Sequence, residues 1–182
     1  LLATPGPASG GAIYLTGTAT ITAINTTLIN NNQAVGGTAS GLVPSGAADG
    51  GGIALSGATL GTISFSTISN NLAQGPDNAG LAVGDGTGHG GGLSLRPLGL
   101  VGASVGTIQN STFSNNNATS GDSAILADGT GEGGGIFIES VGAAVSSVTT
   151  IVNSTFSGND AKNFGGGIAI SSTSNINDLS ST

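Results

Sequence analysis

The chain has 182 residues, of which 35 are glycine, nearly one in five against a usual share of about 7%; 6% are charged, against a usual share of about 25%. Two Lys/Arg against nine Asp/Glu leave a formal charge of −7, which excludes neutralising a nucleic-acid backbone or docking on anionic lipid. With no cysteine there is no disulfide, thiolate metal site or thiol nucleophile, and no run of about 18 apolar residues is present to span a membrane.

Residues 1–9 (LLATPGPAS) carry Pro5 and Pro7 and read as an N-terminal extension or partial cap. From residue 10 two kinds of segment alternate. The first reads GGAIYL (10–15), GGGIAL (50–55), GGGLSL (90–95), GGGIFI (133–138) and GGGIAI (165–170). The second reads TAINTTLINNN (22–32), TISFSTISNNL (62–72), TIQNSTFSNNN (107–117) and TIVNSTFSGND (150–160). With Leu28, Ile68, Phe113 and Phe156 set as one column, threonine always precedes. Asparagine follows three places on (Asn31, Asn71, Asn116, Asn159), and Thr22, Thr62, Thr107 and Thr150 stand six places before.

The shortest repeat is about 27 residues, with no helical periodicity and with short alternating β-branched stretches bounded by Gly, Asn and Ser. Such a unit, folded as three short strands with turns, is one rung of a parallel β-helix. The reading is all-β: four full rungs and a partial fifth over 10–182, with long loops leaving one corner. Leu28/Ile68/Phe113/Phe156 are expected to stack inside, as are Ile13/Ile53/Leu93/Ile136/Ile168 and Leu15/Leu55/Leu95/Ile138/Ile170. The asparagine column fits a corner where each amide bonds its neighbour in the next rung. The glycine triplets fit a corner that requires positive φ or excludes a Cβ.

The pairing of GG-aliphatic runs (10–13, 133–136, 165–168) with F-x-x-N at Phe113–Asn116 and Phe156–Asn159 resembles the repeats of polymorphic outer-membrane proteins and related bacterial surface proteins. That resemblance covers roughly residues 10–170. It implies a right-handed coil and an exported, surface-displayed adhesive or structural role. Leu28 and Ile68 depart from the pattern, standing where the family has Phe, and the segment carries no membrane β-barrel.

Three long loops, roughly 33–50, 74–91 and 118–134, leave the asparagine corner and hold most of the acidic charge. Counting back from the Ile53/Leu93/Ile136 column brings Asp49, His89 and Glu132 level, with Asp85, Asp128 and Asp160 four residues earlier. Oxygen ligands a rung apart suit Ca²⁺, although Asp-Gly turns are also ordinary loop chemistry; no cofactor is required by the reading. A polysaccharide-degrading β-helix would want a carboxylate cluster with Arg or Lys at the centre. Arg96 and Lys162 fall in different repeats and read as solvated surface charge, and no catalytic residue is assigned.

Four N-x-S/T sequons occur at Asn25, Asn110, Asn117 and Asn153. Asn25, Asn110 and Asn153 share one column in this alignment, and repeat logic explains them without glycans. The threonines at 18, 20 and 22 do not recur in every rung as an ice-matching face would require. Open strand edges at either end point to self-association or to neighbouring solenoid subunits. The expected function is an extracellular or cell-surface structural or adhesive solenoid, with cell-surface glycans or proteins as further partners. The alternative is a polysaccharide-binding or polysaccharide-degrading β-helix protein, the first disfavoured because the chain has only Tyr14 and five Phe, several of them expected inside, the second by its two scattered cations.

Overall fold

In a computed structural model, which describes residues 6–38, 46–77, 86–121, 129–171 and 173–180, every regular element is a strand and all strand pairs within the sheets are parallel. The strands fall into five sheets, numbered here in the order in which one turn of the chain visits them. Sheet 1 contains Ala8–Ser9, Ala48–Asp49, Gly88–His89 and Gly131–Glu132. Sheet 2 contains Ile13–Thr16, Ile53–Ser56, Leu93–Arg96, Ile136–Ile138 and Ile168–Ile170. Sheet 3 contains Thr20–Asn25, Thr59–Ser64, Ser104–Gln109, Ser147–Val152 and Asn175–Ser180. Sheet 4 runs from Leu28–Asn30 through Thr67–Ser69 and Thr112–Ser114 to Thr155–Ser157. Sheet 5 runs from Gln33–Val35 through Leu72–Gln74 and Asn117–Thr119 to Asp160–Ala161. This is a parallel β-helix. Each turn uses five strands rather than the three expected, because the asparagine and glycine corners break it at more points. Ala8–Ser9, in the segment read as an extension or partial cap, pairs with Ala48–Asp49.

The interior is built from single-residue columns. Ile13, Ile53, Leu93, Ile136 and Ile168 lie in register, as do Leu15, Leu55, Leu95, Ile138 and Ile170. Ile24, Ile63, Ile108 and Ile151 form the matching column of sheet 3. One continuous apolar core results, and in the middle turns each aliphatic is covered by its copies above and below. Burial of that kind is worth roughly 1.5–3 kcal/mol per large side chain, which lets a chain poor in large residues fold.

The sheet 4 column differs from expectation in its first member. Ile68, Phe113 and Phe156 stack as read, but Ile29 stands over Ile68, while Leu28 pairs with Thr67 and is 66% exposed. The reason is spacing. Ile24 and Ile29, Ile63 and Ile68, Ile108 and Phe113, and Ile151 and Phe156 are all five residues apart. The inward alternation therefore selects Ile29, and the Thr-apolar match at Leu28 is a coincidence of two adjacent apolar residues. The same one-residue slip moves Asn32 into the ladder in place of Asn31 and pairs Ala23, not Thr22, with Thr62.

The Asn ladder is fully hydrogen-bonded. The Nδ2 atoms of Asn32, Asn71 and Asn116 donate to Oδ1 of Asn71, Asn116 and Asn159 at 3.0, 2.9 and 2.9 Å. Each of these Oδ1 atoms also accepts the backbone N–H of the preceding ladder residue. The second amide proton of Asn71, Asn116 and Asn159 goes to the carbonyl of Ile29, Ile68 and Phe113. Polar side chains as deeply buried as Asn71 and Asn116 persist only when satisfied in this way.

The left-handed turn that admits the ladder belongs to the residue before it: Asn31, Asn70, Asn115 and Gly158 have φ between 51° and 60°. Across the interior the ladder packs against the glycine corner. A Cβ on Gly92 would lie 3.2 Å from Asn116 Cγ and 2.6 Å from the Gly135 carbonyl oxygen. The leading residues of the triplets, such as Gly90 and Gly133, have φ of 64° and 66°. The two sequence motifs therefore occur together because each shapes the space the other needs.

Candidate functional site

Sheet 1 brings Asp49, His89 and Glu132 into register, as the spacing indicated. Asp85 and Asp128 lie outside the described residues; Asp160 sits in sheet 5 opposite Asn117, away from this column. Asp49 is buried at the centre of a charge network. Its Oδ1 accepts from His89 Nδ1 at 3.0 Å, and Arg96 Nη1 donates to both carboxylate oxygens at 3.1 and 2.9 Å. Arg96 Nε donates to Glu139 Oε2 at 2.6 Å.

An ionised carboxylate only accepts, so His89 carries its proton on Nδ1. The imidazole lies flat on Phe137, with ring centroids 4.6 Å apart and an interplanar angle of 18°. Burial alone would push the Asp49 carboxyl up. The hydrogen bond from His89 and the attraction and bonds of Arg96 outweigh it and hold the group below the ordinary carboxylate range. Burial alone would lower the Arg96 guanidinium; Asp49 first, then Glu139, raise it above its usual value.

Arg96 is thus a bridging residue rather than the solvated charge expected. The oversight has a cause: Asp49 and Glu139 sit 47 and 43 residues from Arg96 in sequence, and only knowledge of the true register brings them together. Lys162 Nζ reaches the Gly121 carbonyl at 3.4 Å. Among the described residues no three His, Asp or Glu side chains are grouped to hold a metal ion. The Asp49 oxygens that a cation would need are engaged by Arg96 and His89. Ser94 Oγ, buried in the same turn as His89, makes no hydrogen bond. Asp49 and Arg96 also form part of the wall of a lateral pocket of about 250 Å³.

The sequons fall into place one by one. Asn110 and Asn153 are exposed at a left-handed corner (φ 48° and 47°), in the position that Thr26 and Phe65 occupy in the earlier turns. Asn25 instead pairs with Ser64, one place out of that column, and Asn117 is half-buried in sheet 5. After the corner residue comes a second ladder that the sequence reading overlooked. Ser66, Ser111 and Ser154 each accept, through Oγ, the backbone N–H of Thr27, Ser66 and Ser111, at 3.1 to 3.3 Å. The hydroxyls of Ser66, Ser111 and Ser154 donate to the carbonyls of Ser64, Gln109 and Val152. In Asn110-Ser111-Thr112 and Asn153-Ser154-Thr155 the three residues are therefore corner, ladder and strand.

The segment from Asn110 to Glu139 contains every one of these devices: the left-handed corners Asn110 and Asn115, the serine ladder, stacked Phe113, ladder Asn116, positive-φ Gly133 and the core pair Ile136 and Ile138. Residues 110–139 match the Chlamydia polymorphic membrane protein (Chlamydia_PMP) repeat. The match joins F-x-x-N at Phe113–Asn116 to the GGGI run in one unit, and the asparagine ladder passing through that segment also includes Asn32, Asn71 and Asn159. No curated protein and no solved structure matches the chain. Among the described residues no helix is long and apolar enough to cross a membrane.

Proposed function

We propose that this chain is a rigid segment of a surface-displayed β-solenoid with a structural or adhesive role, and that it is not an enzyme. One observation supports the reading above others. The matched repeat at 110–139 is continuous with ladders and core stacks running through the described coil, so the repeat serves as a length-building unit. The charge network points the same way. Asp49, His89, Arg96 and Glu139 pair with one another across successive turns, which staples the coil and engages these charges in structural contacts.

The described ends favour contact with further solenoid. Thr20–Asn25 and Asn175–Ser180 are the outermost strands of sheet 3, each with one edge unpaired, and such edges template pairing with another strand. Two experiments test the reading. Immunogold labelling of intact cells should decorate the surface; labelling only after permeabilisation would overturn surface display. Electron microscopy of the purified chain should show rods that associate end to end. A population of single-length particles at all concentrations would remove end-to-end stacking while leaving surface display standing.

A further inference from the structure

The aromatic side chains are not confined to the interior: Tyr14 is 50% exposed and Phe65 61% exposed. Tyr14 lines a concavity that joins three successive turns. Its wall includes Ser9 and Tyr14 from the first of these, Asp49 and Ser56 from the next, and Arg96 and Pro97 from the third. We propose that this pocket binds one sugar unit of a neutral polysaccharide, with Tyr14 as its stacking face. The inference goes beyond the structural role, since a single copy of the chain would bind.

Three features select that ligand class. The pocket, at about 250 Å³, lies just below the range of roughly 300–1,000 Å³ in which drug-sized ligands are held, which suits one ring of a chain whose remainder lies outside. Its walls combine a half-exposed phenol ring and proline with two serine hydroxyls and the Asp49–Arg96 pair. A pyranose presents the same combination, a C–H face for an aromatic ring and a rim of hydroxyls that both donate and accept. Charge argues for a neutral sugar. The Arg96 cation is already held by Asp49 and Glu139, and the chain as a whole carries −7, so an anionic saccharide finds no unshared positive charge. A hydroxyl, by contrast, needs only the guanidinium N–H groups left over from those two partners. Arg96 donates through Nε and Nη1 to the carboxylates, and its five N–H groups exceed that demand.

Tyr14 makes the test direct, because the chain has one tyrosine and no tryptophan. Its fluorescence is followed while xylo-, cello-, malto- and laminari-oligosaccharides are titrated into the full chain, alongside oligogalacturonate as the anionic comparison. At least one neutral series should perturb Tyr14 saturably. Tyr14→Ala, followed by calorimetry, should weaken that binding at least tenfold, Tyr14→Phe should retain it, and Phe65→Asn, at an exposed aromatic outside the pocket lining, should leave it unchanged. Absence of binding to every neutral series would overturn the proposal. So would preference for oligogalacturonate, or binding that survives Tyr14→Ala and is lost in Phe65→Asn. If Tyr14→Ala fails to fold, the wild-type fluorescence titration decides alone.

Discussion

Asn116 shows how much a single side chain carries in this fold. Its amide donates to Asn159 and to the Ile68 carbonyl, and its oxygen accepts from both the side chain and the backbone of Asn71. Asn116→Ala leaves several buried groups without partners, each worth about 1–3 kcal/mol, and should lower stability by at least about 3 kcal/mol in denaturant unfolding. Asn115→Ala, one residue away at an exposed left-handed corner, should cost no more than about 1–2 kcal/mol. Phe65 offers the opposite case. It holds φ at 48° in a column where later turns use Asn110 and Asn153, and non-glycine residues other than Asn and Asp pay for that geometry. Phe65→Asn should therefore raise stability by about 1 kcal/mol. Asp49 sets a pH dependence at this same scale. Its folded-state carboxyl lies below the ordinary value of 3.8, so its contribution is complete above the unfolded value and is lost as pH falls through the depressed folded one. The stability gap between the wild-type chain and Asp49→Asn should be widest near neutrality and should shrink below about pH 4. A gap that stays constant to pH 2 would show that the network contributes nothing through charge.

At the scale of the element, the parallel coil and its repeat were legible in the sequence, but the number of strands per turn and the register of the first turn were not. Inward-facing apolar residues recur with the glycine triplets, so the sheet 2 columns could be read directly. So could the level placement of Asp49, His89 and Glu132, which is counted from those columns. The sheet 4 column misled because Leu28 and Ile29 are both apolar and only one continues the five-residue step from Ile24. Once that step is imposed, Leu28→Ala should change stability by less than about 0.5 kcal/mol, whereas Ile29→Ala should cost about 2–4 kcal/mol. The serine ladder was hidden for a different reason: Ser66, Ser111 and Ser154 look like sequon or turn residues until their hydroxyls are seen bridging backbone to backbone. The Arg96 bridges are side-chain events across turns of unequal length, and no local pattern encodes them. Packing between corners is similarly invisible in sequence yet easily tested. Gly92→Ala would drive a Cβ into the Gly135 carbonyl and against Asn116, and should cost about 1–3 kcal/mol or more.

For the whole molecule, the account depends on residues 28 to 45 positions apart lying directly over one another, joined by ladders of Asn and Ser and by stacked Ile and Phe. A lateral pocket shared by three turns follows from that stacking, and the proposed end-to-end association rests on it. The chain contains no cysteine, so pairs of labels can be placed at will. The most direct measurement is electron paramagnetic resonance on the double variant Thr67→Cys/Thr112→Cys with a nitroxide on each site. These two residues are paired in adjacent parallel strands, about 4.8 Å apart. Strong dipolar broadening, absent from either single-label variant in samples diluted to exclude intermolecular contact, is the predicted result. Narrow spectra from the Thr67/Thr112 pair, indistinguishable from the sum of the single labels, would contradict the coil itself.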